Sequence, residues 1–276
     1  MNETNRNLAV RIGSAVVLLP LVVFLLWLGG NWSAGLMGTA AAICAWEYYT
    51  ITQGKVSAAG GVGIALCLLA PIWAVRNAPR AGERLFWMLG GYFLFAWGFH
   101  LLRGPLAEAP TRVAHLITGM LYGALGLTAL SLLRARNDGL SWVYCVLIVT
   151  WGNDTCAYFV GRWLGRRKLY LEVSPNKTWE GAAGGLAGSL VGMLIARSTF
   201  FPALTIPDCL IAGAIGGVLG PIGDLCESML KRAYHVKDSG RIIPGHGGLL
   251  DRLDALLFNA PALFLYVNFF RGNSWS

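Results

Sequence analysis

The sequence predicts an all-α, polytopic integral membrane protein with about nine transmembrane helices and a cytoplasmic N-terminus. Three observations predict it. Only 13% of the 276 residues are charged and 55% are hydrophobic; a soluble domain carries roughly 25% charged residues, so most of this surface faces lipid. The chain divides into nine apolar runs, each close to the ~20 residues that cross a bilayer. Lys and Arg are spread unevenly over the loops between those runs.

The first run, about 9–29, follows MNETNRNLAVRIGS, and no small-residue cleavage site ends it. It reads as a retained helix and not as a removed signal peptide. The second and sixth runs, about 33–52 and 140–160, each contain an acid, Glu47 and Asp154. Such acids are costly in lipid and should face the protein interior or water. The others cover about 57–75, 85–102, 114–133, 180–199, 208–230 and 252–270. With the N-terminus inside, about 15 of the 22 Lys and Arg lie on the cytoplasmic side and 7 outside, the bias of retained loops. Only the segment from Arg76 to Arg84 runs clearly against it.

The two halves differ. Residues 1–135 read as a transmembrane scaffold with plain loops. Residues 136–276 read as the working half, with two long cytoplasmic loops at 161–179 and 231–251. No inverted repeat of transporter type is visible. Glycines recur at four-residue steps (181, 185; 184, 188, 192; 213, 217; 216, 220), the spacing that lets membrane helices pack closely. The net charge of +8 suits anionic lipid heads. No basic stretch is interleaved with stacking aromatics, which excludes a nucleic-acid partner. The six cysteines form no CxxC pair, so neither a disulfide framework nor a zinc site is expected.

Three stretches could carry chemistry. In GPIGDLCESMLKR, Asp224 and Ser228 share a helical face, with Lys231 and Arg232 just beyond. A helix end pairing an acid with snorkelling bases explains this stretch equally well. In KDSGRIIPGHGGLLDRLD, Asp251 and Asp254 open the last helix. The dipole explains one acid there, but not the company of His246, Arg252 and a glycine run. Backbone N–H groups ahead of a helix start can hold phosphate, and Lys237, Arg241 and Arg252 could add charge. Three carboxylates with a basic glycine loop suit a hard divalent cation and phosphate. In NDTCAYFVGRWLGRRKL…SPNKTWEG, a basic run precedes a helix start that Ser174 or Asn176 could cap, with Lys177 beside exposed N–H groups. GxxxxGK[ST] is absent.

From Ser228 to Asp254, SMLKRAYHVKDSGRIIPGHGGLLDRLD resembles the signature of the phosphatidate cytidylyltransferases (CDP-diacylglycerol synthases). The serine, the Lys-Arg and Lys-Asp pairs, Pro-x-His-Gly-Gly and Asp-Arg-x-Asp stand at that family's spacing. DTCAYFVGRWLG and SPNKTWEG resemble upstream blocks of the same family, with Cys156 where relatives often have glycine or alanine. The resemblance covers about 150–260. It implies transfer of a cytidylyl group from CTP to phosphatidate in a bacterial inner membrane, with the site cytoplasmic. It further implies Mg²⁺, in a paired site that can also hold K⁺. Asp224, Asp251 and Asp254 would be the metal carboxylates. Ser228, Lys231, Arg232, His246 and Arg252 would join Asp224 and Asp251 in catalysis. Ser174, Lys177, Thr178, Lys237 and Asp238 would line the nucleotide or phosphate pocket. A homodimer is compatible with the glycine-rich helices. Three readings stay open at this point: another phospho-lipid or polyprenol as acceptor, an ion-coupled transporter using Asp154, Asp224 and Asp251, and a scaffold whose acids merely pair with bases.

Overall fold

The computed structural model describes residues 3–243, 245 and 247–272. Nine α-helices are present among them: α1 (Glu3–Leu28), α2 (Gly30–Gln53), α3 (Ala58–Arg76), α4 (Ala81–Arg103), α5 (Ala109–Arg134), α6 (Gly139–Leu164), α7 (Trp179–Thr199), α8 (Ile206–Ala233) and α9 (Leu250–Phe270). Seven of them, α3 to α9, are long and apolar enough to cross a membrane. In α1 an apolar stretch covers Val16–Leu28. Each helix overlays one of the nine apolar runs to within a few residues. One feature is additional: the loop after α6 contains a small antiparallel hairpin, β1 (Lys168–Tyr170) and β2 (Ser174–Thr178).

The chain forms two compact units. Among the described residues, the first comprises 3–135 and those of 236–252, the second 136–235 and 253–272. The loop that follows α8, with the first turn of α9, therefore counts with the first unit.

Within the first unit, α2, α3 and α5 pack most extensively on one another. Where α1 meets α2, Gly29 has φ 68°, a conformation glycine adopts without strain. The last carbonyls of α1 lack partners within their own helix. Arg134 supplies them: its Nε donates to the Leu26 carbonyl at 2.7 Å and its Nη2 to that of Trp27 at 3.0 Å. Ser57 caps α3 by accepting from Gly60 N at 3.1 Å. The Tyr49 hydroxyl donates to the Leu116 carbonyl at 2.8 Å and the Tyr92 hydroxyl to that of Ala59 at 3.1 Å, so one buried pair of phenols links four helices.

In the second unit the glycine ladders pack helix on helix. A Cβ on Gly181 would stand 2.9 Å from the Ala157 carbonyl, and one on Gly217 2.8 Å from the Leu186 Cα. Close approach of this kind is what small-residue spacing permits. The start of α7 differs from expectation. Ser174 and Asn176 lie in β2, and the cap is Thr178, whose hydroxyl accepts from Gly181 N at 3.1 Å. Strand pairing with β1 carries Ser174 and Asn176 away from the helix start. Glu180 secures the other side of the hairpin by accepting from Arg166 N at 3.0 Å and Arg167 N at 3.2 Å.

Pro221 interrupts α8. Proline has no N–H for the carbonyl four residues earlier, here that of Gly217. Asn153 of α6 fills the gap, its Nδ2 donating to the Gly217 oxygen at 3.2 Å. Asn153→Ala should therefore destabilise the protein by about 1–3 kcal/mol, the cost of orphaning a buried acceptor. Thermal unfolding in detergent checks this. In a Pro221→Ala background, where an N–H is restored, the same substitution should cost less.

Candidate active site

A cavity of about 450 Å³ opens in the second unit. Asn153, Asp154, Tyr158 and Arg162 line it from α6, Asn176, Lys177 and Thr178 from the hairpin, and Pro221 and Asp224 from α8. Helical spacing places Asp154, Tyr158 and Arg162 at successive i, i+4 positions, and Arg162 Nη1 donates to the Tyr158 hydroxyl at 3.0 Å. The interruption at Pro221 lies one turn before Asp224.

The centre of this cavity is an ion pair. Lys177 Nζ stands 2.7 Å from Asp224 Oδ2 and 3.4 Å from the Pro221 carbonyl. The other carboxylate oxygen, Oδ1, accepts from the Ser228 hydroxyl at 3.3 Å. Asp154, Asp224, Asp254 and Lys177 all lie within electrostatic reach of one another. Asp254 comes close because α9 packs on a glycine of α8: a Cβ on Gly223 would stand 2.5 Å from the Asp254 carbonyl oxygen. Three acids and one lysine thus leave an excess of negative charge, which suits a hard cation. Among the described residues, no three or more His, Cys, Asp or Glu side chains already converge as a ligand set.

Farther along α8, Lys231 pairs with the buried Glu227 at 2.5 Å. Arg232 Nε reaches the Val173 carbonyl at 3.5 Å, at the turn of the hairpin. Neither Lys231 nor Arg232 lines the cavity, and Ser174 lies beside it in β2 without lining it.

The signature loop has its own organisation, within the first unit. Gly247 has φ 83°, and Ile243 N donates to its carbonyl at 3.1 Å. Asp251 faces inward: its Oδ2 accepts from Ser239 N at 2.9 Å and Gly248 N at 3.1 Å, and stands 2.9 Å from Ser239 Oγ. The next two amides, Leu249 N and Leu250 N, donate to the Glu47 carboxylate at 3.0 and 2.7 Å. The expected phosphate cradle is thus corrected at this helix start, because carboxylates of the protein already take the amides of residues 248–250. Lys237, Asp238 and Arg252 are exposed. His246 lies outside the described residues.

Sequence reasoning singled out Lys177, Thr178 and Asp224, which the cavity brings together. Asp154, expected only as an intramembrane acid, and Arg162, expected only as part of a basic run, join them there, and Asn153 was not expected. The signal for Asn153 was present in principle: a proline in a partner helix demands a donor for the carbonyl four residues before it.

Comparison with known proteins bears on this arrangement along nearly the whole chain. The sequence profile of the cytidylyltransferase family matches residues 9–270. A phosphatidate cytidylyltransferase of Brucella suis is 34% identical over 282 aligned residues, covering 94% of this chain and 93% of that protein. One of Synechocystis sp. is 31% identical over 285, covering 93% and 95%. One of Bacillus subtilis is 46% identical over 132 residues, 48% of this chain and 49% of that protein. A profile match from the first helix to the last, joined by relatives that align over almost their full length, places this chain in the cytidylyltransferase family.

Proposed function

We propose that this protein transfers the cytidylyl group of CTP to phosphatidate, giving CDP-diacylglycerol and pyrophosphate. The observation that carries the reading is the Lys177–Asp224 pair in a cavity lined by spanning helices, in a chain whose full-length relatives are named phosphatidate cytidylyltransferases. A phosphate oxygen of the lipid attacks the α-phosphorus of CTP, forming one P–O bond. The bond from that phosphorus to the pyrophosphate oxygen breaks, and the electron pair leaves with pyrophosphate. The nucleophile is already an anion, so the protein's task is to align two anionic reactants and relieve their repulsion.

Asp224, Asp251 and Asp254 are the proposed ligands of Mg²⁺, with K⁺ as a second ion. A metal held there would supply charge neutralisation at the phosphoryl oxygens. Lys177 is positioned to hold Asp224 and to meet a phosphate entering the cavity. Thr178 and Ser174 fix the hairpin beside it. Lys231, Arg232, Lys237, Asp238, Ser228, His246 and Arg252 are assigned to the phosphate surroundings through the signature they belong to. The reaction joins a water-soluble nucleotide to a bilayer lipid, so the proposed location is the cytoplasmic face of a bacterial inner membrane.

The test is pyrophosphate release by the purified protein in detergent. Release is expected only when CTP, phosphatidate and Mg²⁺ are all present, and addition of EDTA should abolish it. Release without phosphatidate, or full activity in EDTA, overturns the reading.

A further inference from the structure

Glu47 lies late in α2, in the half of the sequence without motifs, and its side chain is fully buried at 0% exposure. A carboxylate taken from water is costly unless its hydrogen bonds are replaced. Here both oxygens are used. Oε1 accepts from Leu249 N at 3.0 Å, and Oε2 accepts from Leu250 N at 2.7 Å and from Ser239 Oγ at 3.0 Å. Those partners are 202, 203 and 192 positions away in sequence. Two glycines make the fit possible: a Cβ on Gly240 would stand 2.8 Å from the Glu47 carboxyl carbon, and one on Gly248 2.8 Å from Oε1.

A simple helix cap needs one acceptor, and serine or asparagine provides it without burying a charge. Glu47 does more than cap α9. The Ser239 hydroxyl that it holds also stands 2.9 Å from Asp251 Oδ2 and accepts from Asp251 N at 3.3 Å. Ser239 thus bridges Glu47 to the signature acid. The orientation of Asp251 is set from both sides, by the loop backbone and by this bridge.

We propose that Glu47 is a positioning residue for the transfer reaction, fixing the 239–250 loop and, through Ser239, the carboxylate of Asp251. The proposal rests on the reading of Asp251 as a metal ligand given above. Glu47→Gln is the discriminating substitution. It keeps the shape but turns one acceptor into a donor facing a donor.

The experiment compares wild type, Glu47→Gln and Ser239→Ala in detergent by two readouts. The first is pyrophosphate release as a function of Mg²⁺. Glu47→Gln should lower kcat by about 100-fold, the loss expected when a reacting group is misplaced by an ångström, and should raise the Mg²⁺ concentration needed for half-maximal rate. A merely structural role lowers the yield of folded protein without moving that requirement, so an unchanged Mg²⁺ requirement overturns the proposal. The second readout is cleavage by trypsin at Lys237 and Arg241, both exposed on the loop. Glu47→Gln should be cut faster than wild type, and equal cutting overturns the proposal. If Glu47→Gln does not fold, Ser239→Ala decides, because it removes the bridging hydroxyl and leaves Glu47 on the amides of Leu249 and Leu250: a wild-type kcat and Mg²⁺ requirement in that variant overturns the proposal. If wild type itself releases no pyrophosphate, the functional reading fails. The trypsin comparison then still decides whether Glu47 anchors the loop.

Discussion

Asp224→Asn is expected to lower Mg²⁺-dependent pyrophosphate release by about 10³-fold, the scale on which removal of one transition-state charge contact acts. The substitution is nearly isosteric, so the hydroxyl of Ser228, 3.3 Å away, keeps an acceptor. What disappears is the charge that faces Lys177 at 2.7 Å and that would ligate the metal. Both partners of this pair are partly exposed, so the fold should lose little, within about 1 kcal/mol. A variant that unfolds at the wild-type temperature yet turns over about 10³-fold more slowly places Asp224 in the chemistry. A rate near wild type removes it, and with it the assignment of the cavity.

Asp208→Ala is expected to act in the opposite way, costing stability and sparing the chemistry. Asp208 sits at the start of α8 and is almost fully buried, at 3% exposure. It accepts from Thr205 N at 2.6 Å, from Thr205 Oγ1 at 2.7 Å and from the Tyr266 hydroxyl at 2.6 Å. Arg271 approaches it at 3.2 Å. One side chain therefore closes a capping box and ties α9 to α8. Its removal strands the buried Tyr266 phenol and takes the counter-charge from Arg271, which keeps the Ala203 carbonyl at 3.0 Å; the cost is about 3 kcal/mol, which for a chain of this size lowers the unfolding midpoint on the order of 10 °C. Activity per folded molecule, measured at low temperature, should match wild type. A midpoint within a degree or two of wild type would mean that neighbouring groups or water replace these bonds.

The helices were legible because hydrophobic length is a local property. Seven of the nine apolar runs, those of α3 to α9, are long and apolar enough to be read as spanning without their neighbours. The hairpin at 168–178 was not legible, since its strands of three and five residues show no alternation and form only by pairing with each other. The cap of α7 was misplaced for the same reason: Ser174 and Thr178 are equally good capping residues until strand pairing separates them. Lys177, Thr178 and Asp224 stood out as polar groups at the edge of apolar runs. The role of Glu47 is a different matter. An acid within an apolar run announced a reason for being there, but its partners lie about 200 residues downstream, and nothing in a linear pattern connects them. The Asn153–Gly217 contact needed the rule for proline to be applied to one helix and answered from another.

The bond from Asn259 to Thr150 spans 109 positions, and that from Tyr266 to Asp208 spans 58. On the ribosome, α6, α7 and α8 are made well before α9 enters the bilayer. Until then the Thr150 hydroxyl keeps only its bond to the Val146 carbonyl of its own helix, and Asp208 only its contacts with Thr205. The half-made second unit is thus marked as incomplete by its own polar groups.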